Sequence, residues 1–111
     1  MTWGARRVGI GVEDDTGPGH IAIWQEGGWV PLETIGEYAW QRYDPKPVKI
    51  AVARFVVVDQ YTNPRWFALE RGQYLQGLLA TAGGERRVYL VTVPPPENLG
   101  RSVWPRIVTS R

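Results

Sequence analysis

A chain of 111 residues, 43% hydrophobic and 22% charged, has room for one packed core and a composition that argues against disorder. Its net charge of +2 is too small to predict strong nonspecific attachment to DNA. The absence of cysteine excludes disulfides, thiolate zinc sites and cysteine nucleophiles, and no stretch approaches the ~20 apolar residues of a membrane helix. With no signal-peptide core at the N-terminus, the expectation is a soluble, cytoplasmic, single-domain protein over residues 1–111. Six Trp and five Tyr are many for this length, and they either fill a small core or serve binding on the surface.

Along the chain, Val8-Gly9-Ile10-Gly11-Val12 alternates small and branched residues and reads as a strand. The acids, Gly and Pro of residues 13–19 make a turn, and residues 20–24 form the returning strand. Residues 29–32 start a third strand, with Pro31 marking an edge, so the first third reads as an antiparallel meander. Ile35, Tyr38 and Ala39 at helical spacing predict a short helix over residues 33–43, with Thr34 as N-cap and Glu37 completing a capping box. Asp44-Pro45-Lys46-Pro47 forbids helix and links to the most continuously apolar run, residues 50–58, expected as a central strand buried on both faces. Ala68, Leu75, Leu78, Leu79 and Ala82 share one helical stripe, predicting a helix over residues 65–82 that ends at Gly83-Gly84. Residues 88–93 are the fifth strand, stopped by Pro94-Pro95-Pro96. Residues 97–104 then read as one or two helical turns before a loose basic end.

The resulting order, β-β-β-α-β-α-β, is that of a ribonuclease H-like α/β fold with a mixed five-stranded sheet. In detail the chain resembles the small RuvC-type Holliday-junction resolvases, including those of bacteriophages. The segments that carry the resemblance are Val8-Gly9-Ile10-Gly11-Val12 through Trp24, Ile50-Ala51-Val52-Ala53-Arg54-Phe55-Val56, residues 69–82 with Gly72 and Gly77, and Val91-Thr92-Val93-Pro94-Pro95-Pro96-Glu97-Asn98. The resemblance implies two Mg²⁺ ions held about 4 Å apart by carboxylates. It also implies dimerisation through the 65–82 helix.

The residues depart from that chemistry. Gly11 stands where the family's first-strand Asp would align, and Ala53 where its fourth-strand Glu would. Asp59 lies ~20 Å beyond Ala53 along an unbroken strand. The C-terminal helix that bears the remaining acids is truncated, leaving Glu97. The expectation is therefore a catalytically inactive RuvC-like protein with no cofactor. It would act by binding a partner protein, and so interfere with a host process, or by binding branched or single-stranded nucleic acid. The alternative is a Mg-dependent Holliday-junction endonuclease with relocated acids, drawn from Glu13, Asp14, Asp59 and Glu97. Glu13-Asp14-Asp15 is the one acidic cluster, readable as a weak metal site or as a solvated turn. Arg54, Tyr61, Arg65, Trp66 and Arg71 gather around the end of the central strand and the start of the predicted helix. There Arg can contact phosphate and aromatic rings can stack on unpaired bases.

Overall fold

The computed structural model of the chain describes residues 9–13, 21–25, 28–59, 62–96 and 103–109. In chain order the elements are β1 (Gly9–Glu13), β2 (Ile21–Gln25), β3 (Trp29–Pro31), a 3-10 turn (Leu32–Thr34), α1 (Tyr38–Gln41), β4 (Lys46–Ile50), β5 (Arg54–Asp59), β6 (Thr62–Ala68), β7 (Gln73–Ala82), β8 (Glu85–Val93), β9 (Trp104–Pro105) and β10 (Ile107–Thr109). The first sheet has four strands in the order β2-β1-β5-β6, all antiparallel. The second has six, ordered β10-β7-β8-β3, with β4 also on β7 and β9 also on β8. This mostly-β architecture replaces the expected ribonuclease H-like α/β sheet, because the helix that was to alternate with the strands is itself a strand.

The predicted 65–82 helix is instead the end of β6, a turn, and β7. The turn Glu70-Arg71-Gly72-Gln73 is closed by the Gln73 N–H donating to the Glu70 carbonyl at 3.0 Å, with Gly72 at φ 87°. A positive φ at the third position is the signature of a type II turn, and Gly is the residue that adopts it without strain. At the far end Gly83 (φ 57°) and Gly84 (φ 86°) join β7 to β8. Two positive φ values between paired strands make a type I′ hairpin turn, not a helix terminus. Gly77 lies mid-strand, where an added Cβ would come within 2.9 Å of Ile50 Cδ1 and 3.0 Å of Val88 Cγ1. The Gly72/Gly77 helical dimer face therefore does not form.

The leucine spacing that mimics a helix arises because β7 is buried on both faces. Leu75, with Leu90 beside it on the same face, joins Ile10, Val12, Phe55 and Val57 of the first sheet in a core between the sheets. Leu78, one step out of phase, joins Val30 and Val91 on the opposite face, under Ile35, Trp40 and Tyr89. The segment over residues 32–41 thus forms a third layer. Only one 3-10 turn and one helical turn of the predicted 33–43 helix appear. Thr34 does not cap α1; its Oγ1 donates to the Pro31 carbonyl at 2.8 Å.

The apolar run 50–58 is two strands, not one. β4 belongs to the second sheet and β5 to the first, with residues 51–53 turning the corner between them. The returning chain, β6 into β7, turns the same corner, and the Leu69 N–H donates to the Ala53 carbonyl at 3.0 Å. Of the predicted meander, β1 and β2 pair as expected, but β3 crosses to the second sheet and runs parallel to β8. The expected helical turns at 97–104 meet the described residues at Val103 and Trp104, and Trp104 is in β9; the basic end, expected to be loose, contains β10.

The C-terminal segment fits a fork. β7 pairs with β8 over Gly77–Ala82 and with β10 over Gln73–Leu75, while β8 takes β9 at Thr92 and Val93. Because β9 is antiparallel to β8 and β10 antiparallel to β7, the segment enters along one arm and leaves along the other. Arg106 stands at the apex: its N–H donates to the Val91 carbonyl and its carbonyl accepts the Gln76 N–H, both at 2.9 Å. The Arg106 Nη1 also donates to Gln76 Oε1 at 2.7 Å. Next to it Trp104 packs edge-on against Phe55 (5.2 Å) and Phe67 (4.8 Å) of the first sheet.

Two outcomes follow for stability. Gly83→Asn is expected to leave the urea midpoint nearly unchanged, because Asn tolerates the left-handed region, while Gly84→Val is expected to cost about 1–2 kcal/mol. A Gly84→Val variant as stable as the parent would contradict the type I′ assignment. Trp104→Ala is expected to lower unfolding free energy by about 3 kcal/mol, as a large aromatic truncated at an inter-sheet contact.

Candidate functional site

The expected catalytic acids are not brought together where the structure describes them. Glu13 closes β1 opposite Arg54, whereas Asp59 closes β5 at its other end, five residues further along. That separation is ~17 Å of extended backbone. Asp14, Asp15, Tyr61 and Glu97 lie outside the described residues. Among the described residues no group of three His, Cys, Asp or Glu side chains is placed to hold a metal ion. Ala53, the position of the family's strand carboxylate, sits at the corner between the sheets, just before β5 begins.

The basic and aromatic candidates fare differently, because β6 stands at the edge of the first sheet among the described residues. Arg54 pairs with Ala68 and Val56 with Trp66, so Arg54 and Trp66 are diagonal neighbours. They face away from the core that Phe55 and Val57 enter. Diagonal positions are within reach of long side chains, and the Arg54 Cζ stands 4.4 Å from the centroid of the Trp66 ring. Trp66 retains 36% of its surface in contact with solvent. Arg65 lies on the opposite face of the strand, exposed, with its Cζ 5.2 Å from the Phe67 ring. Phe67 itself is half-buried and stacks on Phe55 at 5.4 Å. Arg71 is the exposed second residue of the type II turn that follows β6. The β6 edge and the turn beyond it thus carry Arg65, Arg71 and one exposed indole, with Arg54 of β5 beside them; the acids nearby are Glu70 in the turn and Glu13, the cross-strand partner of Arg54 on β1.

A second site was not visible in the sequence. A cavity of about 400 Å³ opens between α1 and the β7–β8 hairpin, lined by Trp40, Tyr43, Ala80, Ala82, Glu85, Arg87 and Tyr89. Its floor follows from register: Ala80 pairs with Arg87 and Ala82 with Glu85, which sets two small side chains beside two charged ones. Its wall is aromatic. Trp40 meets Tyr89 edge-on at 5.3 Å and Tyr43 at 6.1 Å, and the Arg42 Cζ lies 5.0 Å from the Tyr43 ring. The wall is tied to the hairpin by the Thr81 N–H, which donates to the Tyr43 carbonyl at 2.7 Å. Among the described residues, Glu85 and Arg87 make no ion pair. The alternation Glu85-x-Arg87-x-Tyr89 was the available signal, but it acquires meaning only once Gly83-Gly84 is read as a hairpin turn.

Comparison with known protein families, with curated proteins and with solved structures finds no match for this chain.

The Arg54–Trp66 contact is expected to show a coupling energy of about 0.5–1 kcal/mol in a double-mutant cycle of Arg54→Ala and Trp66→Ala, read by urea denaturation. Strict additivity of the two substitutions would mean that the ring does not hold the guanidinium.

Proposed function

We propose that the protein is a non-catalytic binding module that holds single-stranded nucleic acid along the β6 edge of its first sheet. The observation that carries this reading is the Arg54 guanidinium held 4.4 Å over the exposed Trp66 ring. A guanidinium resting on an indole loses little further freedom when it binds, and its donors match phosphate oxygens in a planar fork. The exposed indole offers an apolar surface to an unpaired base, which a duplex keeps inside its stack. Arg65, on the other face of β6, and Arg71, in the turn beyond it, add cations along the same edge. The main-chain groups of an edge strand also suit an added peptide strand, but three Arg against Glu70 and the cross-strand Glu13 favour a polyanion. With a net charge of only +2, the attraction is local to this margin rather than a field of the whole molecule. Mg-dependent cleavage gains no support from Glu13 and Asp59, which stand at opposite ends of the β1–β5 pair.

The test is fluorescence anisotropy with a labelled single-stranded oligonucleotide across a salt series. Three phosphate contacts predict that log K falls with log salt at a slope of about −2. Trp66→Ala is expected to weaken binding about tenfold by removing a stacking surface. Arg65→Ala is expected to weaken it while flattening the slope by about 0.7. No binding at low ionic strength, or unchanged affinity in the folded Arg65→Ala/Trp66→Ala double variant, would refute the proposal.

A further inference from the structure

The cavity between α1 and the β7–β8 hairpin lies on the far face of the second sheet, away from the β6 edge, and its chemistry is specific enough to name a ligand class. We infer that it is a pocket for a single guanine nucleotide. About 400 Å³ is within the size range of small-ligand pockets, and a lining of Trp40, Tyr43 and Tyr89 over the small side chains of Ala80 and Ala82 suits a flat, polarizable ring. The charged residues narrow the choice. Glu85 and Arg87 are two residues apart on one face of β8, ~7 Å along the strand, and both line the cavity. A simple cation would meet Arg87, and a simple anion would meet Glu85. A ligand that carries donors at one end and an anion at the other satisfies both.

A nucleotide has that layout, with its base directed to the carboxylate and its phosphate to the guanidinium. Among the bases, guanine presents two adjacent N–H donors, N1–H and the 2-amino group, which match the two oxygens of a carboxylate. Adenine sets an acceptor nitrogen beside its amino donor, and that nitrogen would face the Glu85 oxygens repulsively. An ionised carboxylate can only accept, so the discrimination is built into the residue type. The Arg87 guanidinium takes the phosphate through paired N–H donors.

Isothermal titration with GMP, AMP, guanosine and inorganic phosphate tests the inference on the full chain. GMP is expected to bind about tenfold or more tightly than AMP, the scale of one bidentate base contact. Glu85→Gln is expected to erase that preference, and Arg87→Gln to weaken GMP while leaving guanosine unchanged. Both side chains are exposed, so the fold should persist, and circular dichroism checks it. An Arg65→Ala/Trp66→Ala variant should bind GMP as the parent does, which separates this pocket from the β6 edge. Equal binding of GMP and AMP, displacement of GMP by equimolar inorganic phosphate, or a preference that survives Glu85→Gln would overturn the assignment. Competition by an oligonucleotide with a 5′-phosphorylated terminal guanine would identify a strand end as the source of the base. Failure of that oligonucleotide to compete against bound GMP would identify the free nucleotide; both results uphold the pocket.

Discussion

At the mouth of the fork between β7 and β8, each strand exchanges its neighbour for the C-terminal segment, and the peptide groups of one residue, Arg106, occupy the apex. Its N–H and carbonyl satisfy the Val91 carbonyl and the Gln76 N–H next to where the β7–β8 pairing ends. Buried main-chain groups left unpaired cost about as much as a lost hydrogen bond each, so a fork of this kind needs a filler. The same segment delivers Trp104 to Phe55 and Phe67, joining the second sheet to the first. Val103 and Pro105 are buried beside it. Ladder completion and inter-sheet packing thus depend on one short stretch at the end of the chain.

The two candidate sites are consequences of the same frame. The ribbon made by β4–β5 and β6–β7 bends through a corner, which leaves β6 at the edge of the first sheet and β7 at the centre of the second. A strand at an edge is exposed along one side, and Arg and Trp side chains there shield it from pairing with other chains while remaining accessible to a ligand. The central strand has no such freedom. It is covered on one face by the first sheet and on the other by residues 32–41, and the cavity lined by Trp40 and Tyr43 is the part of that second cover that does not close down on the hairpin. The alanines at 80 and 82 leave the space that larger residues would have filled.

Some of this was legible before the fold. The strands β1 and β2, the apolar strand at the core of β8, and the chain breaks at Pro45 and Pro94 are local signals that survive folding, whereas Lys46 and Pro47, expected in the link, belong to β4. Arg54 and Trp66 were legible as candidates because charge and exposed aromaticity are properties of side chains. Their contact was not, since it depends on the register of β5 against β6. The pocket was illegible for a stronger reason: its wall and floor come from residues some forty positions apart in the sequence, brought together by the Tyr43–Thr81 hydrogen bond.

The stretch from Arg65 to Ala82 separates what the two levels decide. Taken alone, Leu75, Leu78 and Leu79 fit a helical stripe, and nothing within the segment forbids it. A strand buried on both faces produces the same spacing, because each face takes its own leucine and the period of two is lost. The residues by themselves determined that the segment is apolar, that it must be buried, and that glycines interrupt it. Whether it is helix or strand was decided by partners distant in the chain, β4 on one edge and β8 and β10 on the other, whose ladder hydrogen bonds exist only in the folded molecule.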